Sequence, residues 1–198
     1  GKCVKEGIYD MTRLVAITGP AAKNPSYVNA IQGVAMSALE EYFGKHVRVV
    51  SGDLLTGTTI GADGYLGFFD NQISVLKEGD YYETFGWCKP FRSKKFSFSH
   101  TYWSWLCNKK KYKLDTNTNG GPRAFVVSDV YGKVLPMDIY PVYLFKACLA
   151  GDIEKMENLG IYEILPEDVA LCEFVCPSKV EIQQIVSDGI DLMLKEMA

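Results

Sequence analysis

Residues 12–31 read TRLVAITGPAAKNPSYVNAI. Leu14, Ala16 and Thr18 alternate with Val15 and Ile17, the period-two pattern of a strand. Gly19-Pro20 ends that run, Asn24-Pro25 is a turn signal, and residues 27–31 make a second short strand. Further along, VAMSALEEYF at 34–43 predicts a helix. Met36, Leu39 and Phe43 recur at spacings of three and four, and Gly44 stands where a helix stops. Residues 47–50 read as the next strand, turned by Ser51-Gly52-Asp53. Gly57, Gly61, Gly64 and Gly67 then punctuate a loop-rich stretch. Residues 73–76, 81–87 and 96–100 read as three more strands, split by Glu78-Gly79 and Lys89-Pro90. Strand, strand, helix, strand and then further strands is an α+β order.

From about residue 100 the character changes. Residues 108–122, with Lys109, Lys110, Lys111 and TNTNGGP, form a polar loop, and 124–127 read as one last strand. Beyond it the pattern is helical. Asp138 is placed to cap a helix with Pro141 in its first turn, where an N–H has no intrahelical partner in any case. Gly151 ends that helix. Asp152 caps a second, which Gly160 ends. Pro166-Glu167-Asp168 opens a third, with acids suited to a helix N-terminus. Ser178 and Glu181 have the spacing of a capping box for the last helix, whose face is Ile182, Ile185, Val186, Ile190 and Met193. The sequence therefore predicts one domain over 1–100 and a mixed, then helical, domain over 101–198. A strand beginning as early as Arg13, after a first residue that is not Met, reads as a fragment whose preceding domains are missing.

Composition narrows the function classes. Of 198 residues, 47% are hydrophobic, 13% aromatic and 23% charged, enough apolar side chains for a core. No run approaches 18 apolar residues, so no membrane span is expected, and the first ten residues lack the apolar centre of a signal peptide. The six cysteines (3, 88, 107, 148, 172 and 176) form no regular framework and read as free thiols of a reducing compartment. A net charge of −3 gives no general affinity for polyanions. Its distribution is uneven. Lys89, Arg92, Lys94, Lys95, Lys109, Lys110, Lys111 and Lys113 fall in 89–113 without an acid, whereas 151–198 hold eleven acids against three lysines.

One constellation is sharp. LCEFVCPSK holds Cys172 and Cys176 in a C-x₃-C-P, the spacing of the last two ligands in a bacterial ferredoxin run. The other two ligands would fall at 169 and 166, which are Val169 and Pro166, and neither side chain binds iron. Two free, buried cysteines at a helix end account for the pair; a soft metal held by two thiolates is the alternative. His46 and His100 lack ligand-like neighbours. The glycines of 52–67 match neither phosphate-binding pattern and read as turns. Ser51, Ser97 and Ser99 lie in no nucleophile elbow. Tyr102, Trp103 and Trp105, beside the lysine run, suit an anionic membrane, a partner protein, a nucleic-acid strand or a half-buried loop. Of these, nucleic acid is disfavoured by the acidic remainder of the chain.

RLVAITGPAAKNPSYV resembles the start of an SLBB domain, a soluble-ligand-binding β-grasp module. RVVSGDLLTG, YLGFFDNQISVLKEG, NGGPRAFV, VLPMDIYP and PEDVALCEFVCPSK follow in the order of the A-subunit family of the Na⁺-translocating NADH:quinone oxidoreductase. The resemblance covers nearly the whole chain. It implies an SLBB-type domain followed by a helical domain similar to a degenerate iron–sulfur domain, with Cys172 and Cys176 as the remnant of a lost cluster motif. It also implies a peripheral subunit on the cytoplasmic side of the bacterial inner membrane, without a cofactor of its own and inactive alone. The complex, a translocase of six subunits, passes electrons from NADH to ubiquinone and exports Na⁺; its flavins and iron–sulfur centres belong to other subunits. Quinone binding is a further implication, with no motif here to carry it. Lys109, Lys110, Lys111, Trp103 and Trp105 are the expected interface, facing the membrane subunits or lipid. The competing function is an independent SLBB-type ligand-binding module.

Overall fold

Val15 and Ile17 decide how the first sheet packs. In a computed structural model of the chain both are buried, while Leu14 is exposed. Strand β1 (Thr12–Thr18) therefore turns one face to a core, as a period of two requires. The structure describes residues 1–61, 63–79, 81–82, 96, 98, 100, 103–106, 111–119, 121–126 and 128–197. They fall into two compact units, Gly1–Asn119 and Gly120–Ala198.

The first unit opens with a short helix, α1 (Lys2–Glu6), and then β1. β1 pairs antiparallel with β2 (Ser26–Ile31), Thr12 opposite Ile31 and Ile17 opposite Ser26. On its other side runs β5 (Gln72–Lys77), parallel, with Ile17 beside Ile73. β3 (Val47–Ser51) is antiparallel to β5, and β4 (Thr58–Ile60) antiparallel to β3, giving the order β2-β1-β5-β3-β4. The last strand among the described residues thus lies at the centre, where Ile73 and Val75 join Val15, Ile17, Met36 and Leu39 in the core. Ser74, on the opposite face of β5, is also buried, and its hydroxyl donates to the Gly52 carbonyl at 2.8 Å. Gly19 ends β1 at φ 109, where an added Cβ would lie 2.2 Å from the Val75 carbonyl oxygen. Only glycine fits that close approach.

Several expectations are corrected. Residues Met36–Tyr42 form a 3-10 helix, not an α-helix. Ala38 donates to Ala35 and Phe43 to Glu40, bonds that span three residues, and Met36 and Leu39 stack one turn apart on the core. Phe43, in extended conformation, closes it ahead of Gly44. β4 emerges from a stretch read as turns alone. The strands expected at 81–87 and 96–100 lie mostly outside the described residues; Tyr81 and Tyr82 are described and are not in a strand.

The division between units falls at 119–120, later than the residue 100 read from the sequence, because residues 115–117 return to the end of β5. Asp115 bridges to Lys77, Thr116 N–H donates to the Lys77 carbonyl at 3.2 Å, and Tyr81 Oη donates to Asp115 at 2.7 Å. Thr116 Oγ1 accepts from Gly79 N–H at 2.8 Å and donates to Glu78 at 3.0 Å. Glu78 also takes Arg48 in a two-point ion pair, and the Arg48 guanidinium draws its carboxyl below the usual range.

In the second unit, residues 124–126 are not a strand. They are held by Ser178, whose hydroxyl donates to the Ala124 carbonyl at 3.0 Å, while Arg123 N–H donates to the Ser178 carbonyl at 2.8 Å; Val127 lies outside the described residues. Helix α2 (Pro141–Ala150) starts with Pro141 at its first position and Tyr140, not Asp138, as its cap. Gly151 ends it at φ 67. Asp152 caps α3 (Ile153–Asn158) by accepting from Lys155 N–H at 3.2 Å. A 3-10 turn, Pro166–Val169, leads into α4 (Ala170–Val175), with Asp168 accepting from Leu165 N–H at 2.9 Å. The last helix, α5 (Ile182–Met197), does not use the Ser178–Glu181 box, since it starts beyond both residues and Lys179 between them stands at φ 56. Glu173 of α4 supplies the acceptor instead, taking Gln183 N–H at 2.9 Å. Ile182, Val186 and Met193 of α5 are buried against Leu144, Phe145, Met156 and Val169.

Candidate functional site

Cys172 lies in α4 and Cys176 caps its end, so the two thiols, four residues apart, share one face of the helix. That face is fully inside: Cys172 is 0% and Cys176 2% exposed. Tyr131 meets both. Its hydroxyl is 3.2 Å from Cys176 Sγ, and its carbonyl oxygen lies 4.0 Å from Cys172 Sγ. The ring stacks on Phe125 at 5.8 Å and meets Phe145 edge-on at 5.9 Å. Tyr131, 41 residues ahead of Cys172, carries no signal in the sequence that would have joined it to the pair.

Burial, then the neighbouring Cys176, pushes the Cys172 thiol up to about 11. Burial likewise raises the Tyr131 phenol. A thiol must give up its proton to act as nucleophile or metal ligand, and burial makes that harder for Cys172. Val169, at one expected cluster position, is packed in the core, and Pro166, at the other, opens a 3-10 turn. Two thiols with a phenol beside them do not fit a four-ligand iron–sulfur cluster. Among the described residues, no three His, Cys, Asp or Glu side chains gather as a metal-binding set.

The remaining candidates are placed as follows. Asp53 holds the Leu55 and Thr56 N–H groups at 2.8 and 2.7 Å, and Ser51 Oγ takes Gly67 N–H at 2.9 Å while donating to Asp70. The glycine-rich stretch thus spends these N–H groups on its own side chains, as turns do. Backbone bonding to Thr56 draws Asp53 below the usual carboxylate range. His46 and His100 belong to the first unit and the thiol pair to the second. His100 stacks on Trp105 at 5.1 Å. Trp103 and Trp105 stand on a single 3-10 turn, Trp103–Leu106, both well exposed. Lys111 is exposed; Lys109 and Lys110 lie outside the described residues, as do Ser97, Ser99, Tyr102, Cys88 and Cys107. Cys148 of α2 is half-buried and Cys3 exposed, both free. Among the described residues, no helix is long and apolar enough to cross a membrane.

Residues 14–62, from β1 through β4, match the family model of the NQRA C-terminal domain. The chain is 39% identical over 99% of its length to the A-subunit of the Na⁺-translocating NADH-quinone reductase of Shewanella frigidimarina, covering 45% of that protein. It is 39% identical to the corresponding protein of Vibrio vulnificus over 93% of the chain and 42% of the relative, and 38% identical to that of Vibrio atlanticus over 99% and 44%. The chain spans somewhat under half the length of the curated relatives it matches. With the α+β sheet unit where the family model falls and the similarity running on through the helical unit, both units of the chain are similar to the A-subunits of Na⁺-translocating NADH-quinone reductases.

Proposed function

We propose that the chain acts as part of the NQRA component of a sodium pump that moves electrons from NADH to ubiquinone, on the cytoplasmic side of the bacterial inner membrane. Its role there is assembly and a share of the quinone site. The observation that carries this is the 39% identity sustained over 99% of the chain, through both units. Flavins and iron–sulfur centres are assigned to the other subunits, because electron transfer needs a carrier and the thiol pair is filled by protein instead. The pair is accordingly a lost cluster motif. The second reading, an independent ligand-binding module, is favoured only by the confinement of the family-model match to residues 14–62. Deleting the codons for residues 1–198 from the chromosomal gene tests the proposal. Membranes from that strain are expected to lose Na⁺-stimulated NADH:quinone reductase activity; membranes that keep it overturn the pump reading. Turnover of NADH by the purified chain without added flavin overturns the assignment of the carriers to other subunits.

A further inference from the structure

Strand β2 (Ser26–Ile31) is an edge of the sheet, and one hydrogen bond tells which of its backbone groups face outward. Gln32 N–H donates to the Met11 carbonyl at 3.0 Å, one step past the Thr12–Ile31 pair. Antiparallel neighbours bond at every second pair, so Ala30, Val28 and Ser26 also turn their backbone groups towards β1. Tyr27, Asn29 and Ile31 turn theirs the other way. β1 shows the matching phase: Ala16, opposite Tyr27, sends its N–H away from β2, to the Asn71 carbonyl at 2.9 Å. Among the described residues, nothing pairs with the outer side of β2. Its outward residues are all exposed, Tyr27 at 74% and Ile31 at 60%. Their side chains share one face of the sheet with Leu14, itself 56% exposed.

An open edge invites a further strand, and proteins blunt such edges by shortening them or by adding charge or proline. The opposite edge of this sheet is short: β4 has three residues. β2, reading SYVNAI, has six, with no charge and no proline. A second β2 fits it. In an antiparallel copy centred on Asn29, Tyr27 falls opposite Ile31 of the copy, Ile31 opposite its Tyr27, and Asn29 opposite Asn29. All of these residues turn their backbone groups outward, so every such pair exchanges both its N–H···O bonds. On the exposed face, an aromatic ring meets a β-branched side chain twice, a favourable cross-strand pair, and no charges oppose each other. The register is fixed from both ends. The next one in phase sets Pro25, which has no N–H, against Ile31; its counterpart in the other direction sets Gly33, at φ 74, against Tyr27.

We propose that the chain pairs with a second copy of itself through β2, joining two five-stranded sheets into one around a two-fold axis at Asn29. The same strand serves both sides, as a closed two-fold contact requires. Six residues a side is well short of the roughly 20–30 a side of a standard interface, so the dimer is weak and forms as concentration rises.

The proposal stands independently of the pump reading. Sedimentation equilibrium of the 198-residue chain tests it, in reducing buffer so that the exposed Cys3 forms no cross-link. The weight-average mass is expected to climb from monomer towards dimer, and no further, as concentration rises to about 500 µM. Asn29→Pro removes an N–H that points away from β1, so the sheet keeps its ladder while the dimer loses its central pair. Asn29→Lys sets two ammonium groups face to face. Each is expected to lower the association constant by at least roughly tenfold with the circular dichroism unchanged. Asn29→Asp is expected to do the same. An equimolar mixture of the Asn29→Lys and Asn29→Asp chains is expected to regain the dimer, because a two-fold axis there puts residue 29 opposite itself. A chain that stays monomeric at the highest concentration overturns the proposal and leaves the edge to a strand of another protein. Association beyond the dimer, or association that Asn29→Lys leaves intact, also overturns it. So does a mixture no more associated than either variant alone, and that mixture decides the matter if Asn29→Pro misfolds.

Discussion

The chemistry of Cys172 and Cys148 is set by what surrounds them. Burial is the leading cause in both, and each thiol is raised from 9.0 to about 11. In the unfolded chain a thiol ionises near its ordinary value. Above that pH the unfolded state sheds a proton that the folded state keeps, so rising pH favours unfolding. The stability these thiols contribute is full below about pH 9 and is lost as the pH climbs towards 11. We expect the urea midpoint of the helical signal to fall across that window. In the double variant Cys148→Ala, Cys172→Ala the fall is expected to be shallower; an identical slope in both proteins would show that other groups govern it. The spacing of Cys172 and Cys176 was legible in the sequence, and so was the lack of iron ligands at Val169 and Pro166. What fills the site was not. Tyr131 reaches Cys176 across 45 residues of chain, and only tertiary packing brings such a pair together.

At the scale of elements, two contacts govern how neighbouring pieces meet. The first is the close approach of the end of β1 to its parallel neighbour β5 at Gly19, where φ is 109 and an added Cβ would sit 2.2 Å from the Val75 carbonyl oxygen. Gly19→Ala is expected to cost about 3 kcal/mol, because both the backbone conformation and the central strand resist it. A thermal melt that leaves the midpoint of the sheet unit unchanged would show that the contact relaxes freely. The second is the acceptor that Glu173 of α4 offers to Gln183 N–H at the start of α5. Glu173→Ala is expected to cost about 1 kcal/mol, the usual loss for a helix N-terminal acceptor, read as a lower urea midpoint by circular dichroism. β1, β2 and β3 were legible from alternation bounded by Gly-Pro, Asn-Pro and Ser-Gly-Asp. β4 was not, since three residues among glycines are too few to show a period. The 3-10 helix at Met36–Tyr42 passed for an α-helix because Met36 and Leu39 are three apart, a spacing both helices allow. The Ser178–Glu181 box failed because Lys179, between the two, takes a left-handed φ of 56 and α5 starts only at Ile182.

For the whole molecule, the two cores draw on separate parts of the sequence. One runs from Val15 to Val75 and the other from Tyr131 to Met193. Alternating and helical periods made that order of sheet first and helices second legible. The sheet order was not, because inserting β5 between β1 and β3 depends on pairings between strands far apart in sequence. Separate cores have a measurable consequence. Trp87, Trp103 and Trp105 are the chain's three tryptophans, and all fall in the unit Gly1–Asn119. The longer α-helices, α2 and α5, fall in Gly120–Ala198. Tryptophan fluorescence therefore follows the first unit, and ellipticity at the helical minimum chiefly the second. A two-state protein gives coincident curves by both probes, and a chain of two units with their own cores need not. We expect the urea curves to separate, and the two raised thiols to bias one of them: raising the pH towards 11 should move the ellipticity midpoint to lower urea well ahead of the fluorescence midpoint, because Cys148 and Cys172 both lie in the helical unit. Curves that stay superimposed at neutral pH and shift together in alkali would mean that the two cores melt as a single cooperative body.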